Sequence, residues 1–170
     1  NSSNNIKESI LEGLPIVGQE RVVLKFDDNN KVTIGDKPEL VMYVNKVTPI
    51  SDDTRKTQIQ LDLVSAEFIR NEKARITKRY DGKISDHVKQ LLTEGNSIGL
   101  KTKKDVSDID ETLNNYNYIG NNKKPFYIIN WLSRKSISAE NQKKGKSAGY
   151  FFFETADGFH FKSIDSLFAQ

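Results

Sequence analysis

The 170-residue sequence contains no cysteine. Disulfides, thiolate nucleophiles and thiolate metal sites are therefore all excluded, and synthesis in a reducing cytoplasm is the simplest setting. Histidine is nearly as scarce: His87 and His160 are the two residues able to act as general bases near neutral pH. No spacing in the chain supplies a third ligand to a histidine metal centre. No apolar run approaches the roughly 20 residues that cross a bilayer as a helix. A strong excess of one charge is missing too. The 26 basic and 23 acidic residues leave a net +3, well short of the bias expected of a dedicated nucleic-acid binder. The opening residues Asn1–Asn5 are polar, without an initiator methionine or a secretory apolar segment, and read as a cut into a longer polypeptide.

What is present suits one ordinary domain or two small ones. The 36% apolar fraction permits a modest core under a polar exterior. No internal repeat of solenoid or propeller type is visible. After a polar arm over residues 1–13, strand candidates follow at Arg21–Phe26, Lys31–Ile34 and Leu40–Val47, separated by the turn clusters Asp27-Asp28-Asn29-Asn30 and Gly35-Asp36-Lys37-Pro38. Over Thr57–Leu63, Ile59, Leu61 and Leu63 alternate with Gln58, Gln60 and Asp62. That period of two signals an antiparallel strand with one wet face.

The period changes at Ser65, a plausible N-cap for a short helix carrying Phe68 and Ile69. Arg75–Tyr80 reads as extended, and Asp81-Gly82 turns into a second helix. There Ile84, Val88, Leu91 and Leu92 form one apolar stripe ended by Gly95. Residues 95–123 read as a long polar loop with a short strand at Tyr116–Ile119. Pro125 opens a third helix with Phe126, Ile129 and Leu132 along one face. Tyr150–Glu154 and Phe159–Lys162 flank Thr155-Ala156-Asp157-Gly158 as a β-hairpin, and a short helix starts near Ser163. The fold class expected is α+β: an antiparallel β section, then a helix-containing section with helices near 66–73, 84–94 and 125–136, closed by a hairpin over 150–162.

Catalytic and binding motifs do not assemble. His87 falls on the polar side of the second helix, and His160 alternates with Phe159 and Phe161, so both read as surface or boundary residues. The run Asp105, Asp108, Asp110, Glu111 lacks the glycine and spacing of a calcium loop and reads as a solvated loop or helix start. Lys143-Lys144-Gly145-Lys146-Ser147 ends like a phosphate-binding loop, but Glu140 stands where the first glycine belongs and no strand precedes it. The basic segment 70–83, with Lys73, Arg75, Lys78, Arg79 and Lys83, could track a phosphate backbone together with Lys143–Lys146. Glu72 and Asp81 interrupt it. A hydrolase using Asp52 and Asp53 is poorly served, because adjacent strand residues point to opposite faces. Tyr150-Phe151-Phe152-Phe153 carries apolar groups on both faces, each needing cover, from a partner or as a central strand covered on both sides.

Three stretches in order resemble the baseplate hub protein of contractile-tailed bacteriophages. The first is Gly13-Leu14-Pro15-Ile16-Val17-Gly18-Gln19-Glu20 leading into Arg21–Phe26. The second runs from Val64-Ser65-Ala66-Glu67-Phe68-Ile69-Arg70-Asn71-Glu72 to Gly82-Lys83-Ile84-Ser85-Asp86. The third is Lys124–Leu132, followed by Gly149–Glu154 and Asp157–Ile164. The family-like positions are Pro125, Phe126, Asn130, Trp131, Gly149, Phe152, Gly158, Phe159 and Phe161.

The resemblance implies a non-catalytic virion protein without a cofactor or metal. Such hubs are similar to tail-tube proteins and to the base of the type VI secretion spike. They form trimers with two tube-like barrels per subunit, joining the tail tube to a spike that can carry a lysozyme, and they assemble in the host cytoplasm. On that pattern residues 14–65 belong to a tube-like barrel and 66–168 to the α/β section beside it. A full hub subunit is longer and has a second barrel, so this chain would be a fragment. Its expected partners are other hub subunits, the tube and the spike. The alternative reading is a nucleic-acid-binding module using residues 70–83.

Overall fold

The computed structural model describes residues 16–25, 39–53, 56–95, 99–139 and 149–169, with the backbone alone at 52, 53, 56 and 57. The chain divides into two compact units, the described residues up to Ala66 forming one and those from Glu67 onward the other. The class is α+β, with antiparallel sheets and four helices among the described residues.

The first unit is a three-stranded antiparallel sheet in the order β1-β2-β3, with β1 at Arg21–Lys25, β2 at Glu39–Asp53 and β3 at Lys56–Val64. The first part of β2 pairs with β1, from Lys25↔Glu39 to Arg21↔Tyr43. Its remainder pairs with β3, from Tyr43↔Val64 to Asp53↔Lys56. The register shifts between Val44 and Lys46 and again between Pro49 and Ser51, the irregularities that bend a long strand. Pro49 has no N–H to give to a ladder and lies where β2 has one strand partner among the described residues, a position proline tolerates. In β3, Gln58 and Gln60 are exposed while Ile59, Leu61 and Leu63 are half-buried. Val44 is the one fully buried apolar side chain described in this unit, and β1–β3 close no barrel. The turn clusters 27–30 and 35–38 and the strand candidate Lys31–Ile34 lie outside the described residues.

The second unit begins with α1, Ala66–Lys73, then β4 at Arg79–Tyr80, α2 at Ile84–Thr93, β5 at Tyr118–Ile119 and α3 at Pro125–Ser133. It closes with β6 at Tyr150–Glu154, β7 at Phe159–Ser163 and α4 at Ile164–Phe168. The stripe Ile84, Val88, Leu91 and Leu92 is fully buried. Helix α2 has no side-chain cap at Lys83. Instead Thr112 Oγ1 accepts from the Ser85 N–H at 3.0 Å, so a residue 27 positions away satisfies the helix start. Helix α3 opens on Pro125 and buries Ile128, Ile129 and Leu132; it ends at Ser133, short of the 136 expected.

Three further sequence expectations need correction here. Helix α1 carries Phe68 and Ile69, but its inward residues are Glu67 and Asn71, and Phe68 is 36% exposed. Polar anchors set this orientation: Glu67 accepts from Thr102 at 2.9 Å, and Asn71 Oδ1 accepts from the Phe126 N–H at 2.8 Å. The aromatic strand β6 is not a central strand covered on both sides, because its sheet has two strands. Tyr150 and Phe152 turn toward the core cluster while Phe151 is 54% exposed. Finally, the run from Asp105 to Glu111 is neither a helix start nor a free solvated loop. It forms parallel bridges to the second arm of the hairpin, at Asp105↔Gly158 just before β7 and at Ile109↔Phe161 within it.

No helix among the described residues is long and apolar enough to cross a membrane.

Candidate functional site

Most of the polar convergence in the second unit surrounds β7. On the side away from β6, the Phe159 N–H donates to the Asp105 carbonyl at 2.9 Å and the Phe161 N–H to that of Asp108 at 3.1 Å. The Asp110 N–H returns a bond to the Phe161 carbonyl at 2.9 Å. Gly158 is required at this contact: a Cβ there would stand 2.5 Å from the Asp105 carbonyl oxygen, inside any tolerable approach.

Side chains reinforce the seam. Lys162 Nζ donates to Asp108 at 2.7 Å and lies 2.8 Å from Asp110. The Lys162 and His160 hydrogen bonds hold the Asp108 carboxyl below the usual carboxylate range. Burial alone would raise Asp110, but bonds from Lys162, Ser166 and the Ser163 N–H outweigh it and lower its pKa. The same carboxylates raise Lys162. Ion pairs that share one cation between two acids and add neutral donors are fixed far better than an isolated surface pair.

His160 continues this network. Its Nδ1 meets Asp108 Oδ2 at 2.6 Å and its Nε2 meets Thr155 Oγ1 at 2.9 Å. An ionised carboxylate accepts, so Nδ1 donates to Asp108, and Nε2 shares a hydrogen bond with the threonine hydroxyl. The order carboxylate, imidazole, hydroxyl is that of an acyl-transfer relay. Here it sits on a hairpin turn, where Thr155 Oγ1 also accepts from the Gly158 N–H at 3.3 Å and Phe153 stacks on the imidazole at 4.8 Å. Thr155 is not among the residues lining the cavities beside α1 and α3. These contacts close the hairpin turn. Sequence reading missed this grouping because its members are separated by up to 52 residues.

His87 corrects a second expectation. It is 1% exposed, not on a polar helix face. Its ring lies edge-on to Tyr80 and Tyr118, which stack on each other at 5.1 Å, and its Nε2 donates to the Tyr116 carbonyl at 3.0 Å. Burial lowers its pKa against the opposing pull of that carbonyl. Burial also pushes the Tyr80 hydroxyl up to about 12 and raises that of Tyr118 further. The Tyr118 hydroxyl is buried with no hydrogen-bond partner among the described residues.

The positions singled out from sequence divide between these two regions. Trp131 packs edge-on against Tyr116 and Tyr118, and Pro125 opens α3. Phe126 contacts Phe152 and Phe159, which stack at 5.8 Å, and Phe161 stacks on Tyr150 at 4.7 Å. The Gly149 carbonyl accepts from the Ile164 N–H, while Asn130 is exposed. Eight of the nine thus pack or pair within the second unit, and Asn130 faces solvent. Side chains at Asp52 and Asp53, and the whole of Lys143–Ser147 with Glu140, lie outside what is described. No group of three or more metal-ligating side chains occurs among the described residues.

Within the basic segment, Lys78 pairs with Glu94 at 3.4 Å, Arg79 with Asp81 at 3.0 Å and Lys83 with Glu111. Arg75 donates to the carbonyls of Glu72 and Ala74. Most of its charge is therefore spent internally.

No protein-family model matches the chain, and no solved structure matches it. A stretch of 91 residues, 52% of the chain, is 33% identical to the E3 ubiquitin-protein ligase UPL6 of Arabidopsis thaliana. The match spans 8% of that protein's length. So short a share of a long relative assigns no family.

Proposed function

We propose that the chain is a structural piece of a phage tail baseplate hub, joining the tail tube to the central spike through protein–protein contacts and catalysing no reaction. The observation that carries this reading is the open sheet of the first unit. Beyond Val44, whose backbone also bonds to Gln19 and Glu20, β2 is paired by β3 alone among the described residues, and it leaves Ile50 60% exposed. A bent antiparallel sheet with an available edge is what a barrel segment becomes without its neighbours. Added to it is the order of the three hub-like stretches along the chain. The ligase likeness supports no rival activity, since it concerns a small part of a much longer protein.

The nucleic-acid alternative based on residues 70–83 is weakened by the internal pairing of Lys78, Arg79 and Lys83. Immunogold electron microscopy with antibodies raised to this chain, on particles from the source culture, tests the hub reading. Label at the distal end of contractile tails is expected; label confined to non-particulate material would contradict it.

A further inference from the structure

We propose that an open cavity of about 490 Å³ in the second unit binds a compact polyphosphate group. Its lining brings together Arg70 and Lys73 from α1 with Lys101 and Lys103 from the loop after α2, with no acidic residue among the described ones. Elsewhere in the basic segment Lys78, Arg79 and Lys83 are paired with acids. Lys73, Lys101 and Lys103 have no ion-pair partner among the described residues. In a chain whose charges nearly cancel, four basic side chains around one concavity form a local positive field that a multivalent anion would relieve.

The backbone holds this arrangement in place before any ligand arrives. The N–H groups of Leu100, Lys101 and Thr102 donate to the carbonyls of Leu91, Glu94 and Leu92, each at 2.9 Å, clamping the loop on the end of α2. Gly99 lets it approach: a Cβ there would lie 2.7 Å from three carbonyl oxygens of the helix. Lys101 is held at φ +48°, a left-handed conformation that a lysine rarely adopts. Arg70 is fixed through Nη1, which donates to the carbonyl of Lys101 at 3.1 Å and meets Glu67 at 3.5 Å. Its Nη2 and Nε remain to engage an anion in the forked manner that suits phosphate.

The occupant follows from what the cavity lacks. Among the described residues no aromatic side chain lines it, and stacking of a base has no support there. Adjacent phosphates are favoured over the wider spacing of a nucleic-acid strand.

Isothermal titration with inorganic tripolyphosphate tests this. Saturable one-to-one binding is expected, weakened on the order of tenfold or more by the double variant Lys101→Glu, Lys103→Glu, since two attractive contacts become repulsive. Lys83→Glu, in the paired part of the segment, should leave the dissociation constant within about twofold, the scale of a distant screened charge. Circular dichroism of each variant checks that the fold is intact. A nucleoside triphosphate arm separates the sources: affinity equal to tripolyphosphate means the phosphates alone are read, and tighter binding means a nucleotide is the occupant. Absence of saturable binding, equal loss in Lys83→Glu, or tighter binding of an oligothymidine strand would each overturn the proposal.

Discussion

Asp108 and His160, 52 residues apart in the chain, meet at 2.6 Å between Oδ2 and Nδ1. The same carboxylate holds Lys162, so one side chain on the strip 105–110 grips two successive outward residues of β7. The strip and the strand are also joined by three backbone hydrogen bonds through Asp105, Asp108 and Asp110. This seam explains how a stretch with the composition of a loop is ordered: its polar side chains reinforce a short parallel ladder to the hairpin.

Read as a fastening of the hairpin, the contacts of Asp108, His160 and Thr155 predict that substitution costs stability and not activity. Thr155→Val removes a hydroxyl bonded to His160 and to Gly158, and is expected to cost about 1 kcal/mol of stability, the net worth of such bonds. Urea unfolding followed by tryptophan fluorescence measures it. Hydrolysis of a p-nitrophenyl ester should run at the same rate with wild type and variant. A rate that falls with Thr155→Val would make the relay catalytic.

Lys162 is the cation that keeps two carboxylates 2.7 and 2.8 Å away from it ionised. Both have pKa values lowered in the folded protein, so their stabilising effect is present above the unfolded value near 3.9 and is lost as pH falls through the folded values. Lys162→Met should leave the pair repelling each other, lower stability at neutral pH and flatten the acid limb below about pH 4. Thermal unfolding across pH 2–7, relative to wild type, reads both effects.

His87 makes a contribution with a different pH window. Its folded pKa is lowered by burial, so the unfolded chain binds the proton more readily. Stability is full above the unfolded value near 6.5, declines as pH drops below it, and levels once the folded value is passed. His87→Phe, which keeps a ring between Tyr80 and Tyr118 but cannot titrate, should remove the part of the decline that sets in below about pH 6.5. It should also lose about 1–3 kcal/mol for the Tyr116 carbonyl left unpaired.

Gly158→Ala places a methyl 2.5 Å from a backbone oxygen that cannot move without breaking the seam. A loss of roughly 1–3 kcal/mol is expected, the usual cost of overpacking. Hydrogen exchange should show the Phe159 and Phe161 amides losing protection first, because they donate across the displaced contact.

Legibility from sequence followed the range of the interactions. The alternation over Thr57–Leu63 reports a strand that exposes Gln58 and Gln60, and the stripe Ile84, Val88, Leu91 and Leu92 reports the buried face of α2, because both patterns are written within one element. The hairpin was equally local. Helix α1 was not: nothing within 66–73 shows that Thr102 and the Phe126 N–H await Glu67 and Asn71. His87 looked polar because its cover comes from Tyr80 and Tyr118, outside its own helix. Asp108 and Asp110 looked solvated since their partners stand more than 50 residues on. The cavity basic residues come from two segments, and sequence linked Arg70 and Lys73 to Lys78 and Arg79 instead, which the fold pairs with acids.

On the proposed reading, this polypeptide is a building block whose β sheet, open along β2 among the described residues, is completed by neighbouring subunits. Cryo-electron microscopy of tail particles from the source culture measures this directly. The account predicts density for β1–β3 within a ring between tube and spike, with the free edge of β2 paired by another strand. Particles lacking this chain, or containing it with that edge facing solvent, would contradict the account.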